Sequence, residues 1–88
     1  MKADLRNLAT AQEAYLYDWS TYYNGAIPSG QIQFSPSNGV AISISSGSMS
    51  GWGATATHVG APTSTCALFM GSIGAVAPAV VEGEVRCQ

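Results

Sequence analysis

The residue types able to carry chemistry are few and scattered. His58 is the only histidine among 88 residues, so a two-histidine metal site and a triad with a spare base are both out of reach. A strand-end imidazole held by a hydrogen bond is the better expectation. The stretch GSMSG, Gly47 to Gly51, approaches the G-x-S-x-G turn that presents a catalytic serine, but Met49 stands at its centre and offers no nucleophile. Glu82 and Glu84 could share one strand face as a carboxylate pair or a weak calcium site; Arg86 follows on that face and can neutralise them, which favours a solvated surface. There is no C-x-x-C and no phosphate-cradling glycine loop. Tyr15, Tyr17, Trp19, Tyr22 and Tyr23 crowd one stretch, where they serve either as helix packing or as a platform for a ligand. Neither catalysis nor a metal or cofactor is expected.

Composition narrows the classes further. The formal charge is -2 with Lys2, Arg6 and Arg86 as the only cations, which excludes electrostatic capture of nucleic acid or an anionic membrane. Charged residues make up 9 % of the chain, against roughly a quarter in ordinary soluble domains. That uncharged, small-residue surface suits secreted or self-packing proteins. The two cysteines, Cys66 and Cys87, bracket a short C-terminal loop. In an oxidising compartment a bridge between them would add about 3 kcal/mol on the loop-entropy account, against the alternative of two buried thiols in the cytosol. The longest apolar run, Ala75 to Val81, is broken by Pro78 and is too short to span a bilayer.

The elements that would position these residues begin with a helix over about 2–19. On a helical wheel Leu5, Leu8, Ala9, Tyr15, Leu16 and Trp19 share an arc of about 120°, interrupted only by Gln12. Leu5, Leu8, Tyr15, Leu16 and Trp19 are therefore the expected helix-sheet core. The opposite side carries Ala3, Asn7, Thr10 and Ala14, small enough for a second helix to approach, although a plain solvent-facing side reads equally well. Asn24-Gly25 and Pro28 end the helix, and everything beyond looks like sheet, about 31–87.

Gln31 to Ser35, then Val40 to Ile44 across the turn SPSNG, form an expected hairpin. Trp52, Ala54, Ala56 and His58 alternate along the next strand. A loop, Val59 to Ser64, leads to a strand at Thr65 to Gly71. The last expected strand is Val80 to Cys87, with Val81, Val85 and Cys87 on one face and Glu82, Glu84 and Arg86 on the other. Cys66 is in step with Leu68 and Met70, so both thiols can point toward one layer. The fold class is α+β: a single domain, 1–88, with an N-terminal amphipathic helix packed on a four- or five-stranded antiparallel sheet.

The helix has no evident start. No Ser, Thr or Asn precedes its first turn as a cap, and Asp4 is its only early acid. The run MKADLRNLATAQEAYLYDWSTYY resembles the second half of the long N-terminal helix of bacterial type IV pilins and type II secretion pseudopilins. GWGATATH, TCALFMG and VEGEVRCQ resemble the strands and C-terminal disulfide of their headpieces. The resemblance spans nearly the whole chain and is strongest over Asp4 to Tyr15 and around Cys66 and Cys87.

The family's basic leader, peptidase site and apolar half-helix with its glutamate are not in this sequence. The resemblance therefore implies that roughly 30 apolar residues precede Lys2 in a full-length form and that the helix is interrupted at Met1. It further implies a non-catalytic structural subunit that assembles with copies of itself into an extracellular or periplasmic filament. Pilus or secretion assembly machinery would be its partner, and its only membrane contact would be the missing segment, in the inner membrane before assembly. Ala3, Asn7, Thr10 and Ala14 would then face neighbouring helices. The alternative is a minor pseudopilin or secreted module that recognises a sugar or a secreted protein through the aromatic cluster or the Ser/Gly loops, with Trp52 or the Tyr22 to Ile27 loop at the contact.

Overall fold

A computed structural model of the chain describes residues 2–25, 27, 32 and 34–88. Helix α1 spans Lys2–Trp19, and four strands follow: β1 Val40–Gly47, β2 Gly51–His58, β3 Ala61–Gly71 and β4 Arg86–Cys87. The strands form one sheet in the order β1-β2-β3-β4, every neighbouring pair antiparallel. One helix on a four-stranded antiparallel sheet is an α+β layer pair.

Period-two alternation decides the layers. In β2, Trp52, Ala54 and Ala56 are fully buried on the face toward α1, and the register sets Met70, Leu68 and Cys66 of β3 beside them. Ile42 and Ile44 of β1 complete the row opposite Ala56 and Ala54. Leu5 and Leu8, both 0 % exposed, are the helix's contribution to this core, each contributing about 2–3 kcal/mol by burial. Two alanines on the central strand leave room for the helix to lie over β2 and β3. The other face is smaller: Ala67 and Phe69 meet Ala79, Ile73 and Val76 of the segment between β3 and β4. Gly53 makes this closeness workable, since a Cβ there would lie 2.6 Å from Val76 Cγ2 and 3.1 Å from Ile73 Cδ1.

Several expected boundaries move. Of the strand expected at Gln31 to Ser35, Gln31 and Gln33 lie outside the described residues, Ile32 is buried, and Phe34 and Ser35 are not in a strand. The Phe34 amide donates to the Ile32 carbonyl at 2.9 Å, a tight turn that extended backbone cannot make. The loop expected at Val59 to Ser64 shrinks to a turn at Val59 and Gly60, and β3 begins at Ala61. The extra residues are absorbed where the register shifts between Thr57 and His58.

The last strand is far shorter than Val80 to Cys87. Gly83 has φ of 79°, its amide donates to Phe69 O at 2.9 Å, and Glu84 N donates to Val81 O at 3.1 Å. A turn therefore replaces the extended chain. Val81 is 49 % exposed instead of facing inward, while Val85 still packs against the helix-side core.

The helix stripe is corrected at its end. Tyr15 and Leu16 are half-buried and Trp19 is 66 % exposed. The buried Tyr23 takes the place beside Tyr15, ring centroids 5.3 Å apart and edge-on, so Trp19 is left to stack on Tyr15 from outside at 6.0 Å. Gln12, the polar interruption of the stripe, is 0 % exposed.

Candidate functional site

His58, Glu84 and Arg86 each have a structural occupation, and Glu82 is exposed. His58 Nδ1 accepts the amide of Gly60 at 2.8 Å and so fastens the β2-β3 turn. Arg86 Nε donates to Glu84 Oε1 at 2.8 Å in an exposed pair. The GSMSG stretch is the β1-β2 connection, closed by the Ser48 amide donating to Gly51 O at 2.9 Å. Among the described residues no three His, Cys, Asp or Glu side chains are grouped to hold a metal ion. No helix formed by them is long and apolar enough to cross a membrane.

Cys66 and Cys87 are joined in a disulfide, opposite each other across the β3-β4 pair. The bridge closes the sheet's short last strand, which has only two residues of its own to hold it. Such a bond suggests an oxidising, non-cytoplasmic environment.

Two polar side chains of α1 hold the connecting chain. Asp4, 4 % exposed, accepts from both the backbone amide and the hydroxyl of Ser37, each at 2.8 Å. Burial pushes its carboxyl up, but the Ser37 amide and hydroxyl, together with the charge and hydrogen bond of the terminal amine, outweigh that and hold it below its ordinary value. Gln12 engages the chain leaving the helix: its Nε2 donates to Tyr23 O at 3.0 Å, and Tyr23 N donates to its Oε1 at 2.7 Å. Tyr22 beside it donates to Glu13 Oε1 at 3.3 Å. Burial, with the Glu13 charge and hydrogen bond and the Glu82 charge, pushes the Tyr22 phenol above its ordinary range.

On the other side of α1 lies an open groove of about 560 Å³, between the exposed side of the helix and the Ile32, Phe34 and Ser35 wall. Thr10, Ala11 and Ala14 line its middle, where small side chains leave the space. Tyr15 and Trp19 line one end with Asp18, and Asn7 lies toward the helix start. Asp18 is the only charged residue among the described lining, so the groove has an apolar, aromatic end and a polar rim without a cation.

The expected outward side of the helix is thus partly drawn together. Asn7, Thr10 and Ala14 are exposed and line the groove; Ala3 is exposed and lies outside it. Trp52, expected as a contact for a ligand, is 0 % exposed beneath the helix and cannot serve; its Nε1 has no partner among the described residues. Of the Tyr22 to Ile27 loop, Ala26 lies outside the described residues, Tyr23 is buried, and Tyr22 and Ile27 are half-buried. Sequence reasoning missed the roles of Asp4 and Gln12. Gln12 left a signal, a polar residue inside an apolar arc; Asp4 left only its place in the first turn. No family model matches the chain, and no curated protein or solved structure matches it significantly.

Proposed function

We propose that this chain is the headpiece of a type IV pilin-like or pseudopilin subunit, a non-catalytic structural protein that assembles with copies of itself into an extracellular or periplasmic filament. The observation that carries the reading is the two-sided helix. Leu5, Leu8 and Gln12 are buried on the sheet side, while Ala3, Asn7, Thr10 and Ala14 are all exposed on the other. An exposed helix side of small residues on a rigid domain leaves room for another helix to pack closely. The Cys66–Cys87 bridge supports a location outside the cytoplasm and braces the terminal strand against unravelling. The run Asp4 to Tyr15, which resembles the family's helix, is the stretch that bears both sides. Pilus or secretion assembly machinery would be the partner in the cell. The test is to fuse an apolar helical segment of about 25 residues before Lys2, express the fusion in a pilus-assembling host, and label the filaments with an antibody to this domain. Labelled filaments support the reading; a fusion that is made and membrane-inserted yet never enters filaments refutes the major-subunit form of it.

A further inference from the structure

We infer that the groove beside α1 binds a neutral sugar chain built of all-equatorial pyranose rings. Such rings present flat C–H faces with hydroxyls around the edge, and the groove offers the matching surfaces. At its aromatic end the Trp19 ring is 66 % exposed and is backed by Tyr15 at 6.0 Å and 28°. Half-buried Phe34 lies on the opposite wall. Flat apolar surfaces of this kind receive ligand rings, and a few polar groups then set orientation. Asn7, Thr10 and Ser35 supply neutral donors and acceptors along the rim, and Asp18 supplies a carboxylate that accepts hydroxyl hydrogens in charge-assisted bonds.

Charge and shape select the class. No Lys, Arg or His is among the described lining residues, so a phosphate, a sulfate or an acidic sugar meets no counter-charge there. The helical wall from Asn7 to Trp19 runs about 18 Å at 1.5 Å per residue, and the groove is open along its length. That suits a chain of rings laid in from the side better than a single enclosed ligand. The helical wall is held to the sheet by Leu5 and Leu8, and Asp4 ties the chain just beyond the Phe34 and Ser35 wall to the helix through Ser37. The groove and the proposed filament contact share one helix side, so a given copy offers one or the other at a time. A neighbouring copy packed on Asn7, Thr10 and Ala14 would cover part of the groove, so the site belongs to a subunit whose helix side is uncovered.

The test is a titration of the ¹⁵N-labelled protein with cellotriose and with triacetylchitotriose, followed by NMR, with choline chloride and sodium sulfate as the cationic and anionic comparisons. Both sugars are expected to shift the amides of Asn7 to Trp19 and of Phe34 and Ser35, and the Trp19 indole, while the Trp52 indole stays in place. Trp19→Ala removes an exposed ring and is expected to weaken binding about tenfold, one aromatic contact's worth. Thr10→Arg, a second exposed position, is expected to block the groove with the Trp52 indole signal unchanged. The inference is overturned if neither sugar shifts these signals up to tens of millimolar, if the shifts fall elsewhere, if both variants bind like the parent, or if choline or sulfate moves the groove signals more than the sugars do.

Discussion

The side-chain amide of Gln12 closes two hydrogen bonds with the backbone of Tyr23, donating at 3.0 Å and accepting at 2.7 Å, from a position with no solvent exposure. A glutamine thereby acts as a one-residue strand partner for the chain leaving α1. It turns a polar gap in an apolar stripe into the joint between helix and loop. Because both groups of Tyr23 are satisfied by one residue, their loss is a sharp test. Gln12→Leu is expected to cost about 2–4 kcal/mol in urea unfolding, since two buried backbone groups lose their partner. Gln12→Glu should be less damaging at acid pH than at neutral pH, because only the protonated carboxyl can both donate and accept. A Gln12→Leu protein as stable as the parent would remove the joint from the account.

Asp4 and Ser37 make the corresponding joint at the other end of the helix, and it titrates. The carboxyl is held below its ordinary value of 3.8 in the folded state, so the unfolded chain binds the proton more tightly. The stability it contributes is complete above about pH 4 and is lost as pH falls through the lower folded value. Asp4→Ala is expected to cost about 1–3 kcal/mol at neutral pH, by removing two charge-assisted hydrogen bonds from Ser37. Asp4→Asn should keep part of that stability and flatten the acid limb of the stability curve. Denaturant midpoints measured from pH 7 down to pH 2 distinguish the two variants.

Gly53 and Val76 touch across the second sheet face, where a Cβ on residue 53 would lie 2.6 Å from Val76 Cγ2. Gly53→Ala is expected to destabilise by about 1–3 kcal/mol through overpacking. Val76→Ala should reverse part of that cost, giving a favourable coupling in a double-mutant cycle. Strict additivity of the two changes would contradict the packing described.

The bridge between Cys66 and Cys87 closes a loop with a sequence separation of 21. Replacing both cysteines by serine is expected to cost about 3 kcal/mol, more if the hydroxyl introduced at the buried Cys66 position finds no partner. Reduction of the parent should give a comparable loss in the midpoint of unfolding. The C-terminal segment after Gly71 should then become the first part of the chain cut by protease, because β4 offers only Arg86 and Cys87 to the sheet.

Much of the layer arrangement was legible because it follows from local periods. Trp52, Ala54 and Ala56 alternate in sequence and share a face in the sheet, and Leu5 and Leu8 fall on one side of any helix drawn through them. What was hidden depends on partners far along the chain. The wheel places Trp19 on the stripe, but Tyr23 reaches the space beside Tyr15 and Trp19 stays outside. Val80 to Cys87 alternates like a strand, yet the Gly83 amide is taken by Phe69 O and the chain turns. Asp4 and Ser37 are 33 residues apart, and nothing local marks them as a pair. The candidate groove was half visible: Asn7, Thr10 and Ala14 could be placed on one helix side, but the wall formed by Phe34 and Ser35 could not, since a strand was expected there.

The central claim is that the exposed side of α1 is a packing surface between copies, and its most direct measurement is filament incorporation of a variant on that side. Ala14 is exposed, so Ala14→Glu leaves the core untouched and should not change the unfolding midpoint of the isolated domain. In the fusion carrying an apolar helical segment, immunolabelled electron micrographs are expected to show the parent in filaments and Ala14→Glu largely excluded from them. Equal incorporation of the two, or no incorporation of a correctly inserted parent, would contradict the account.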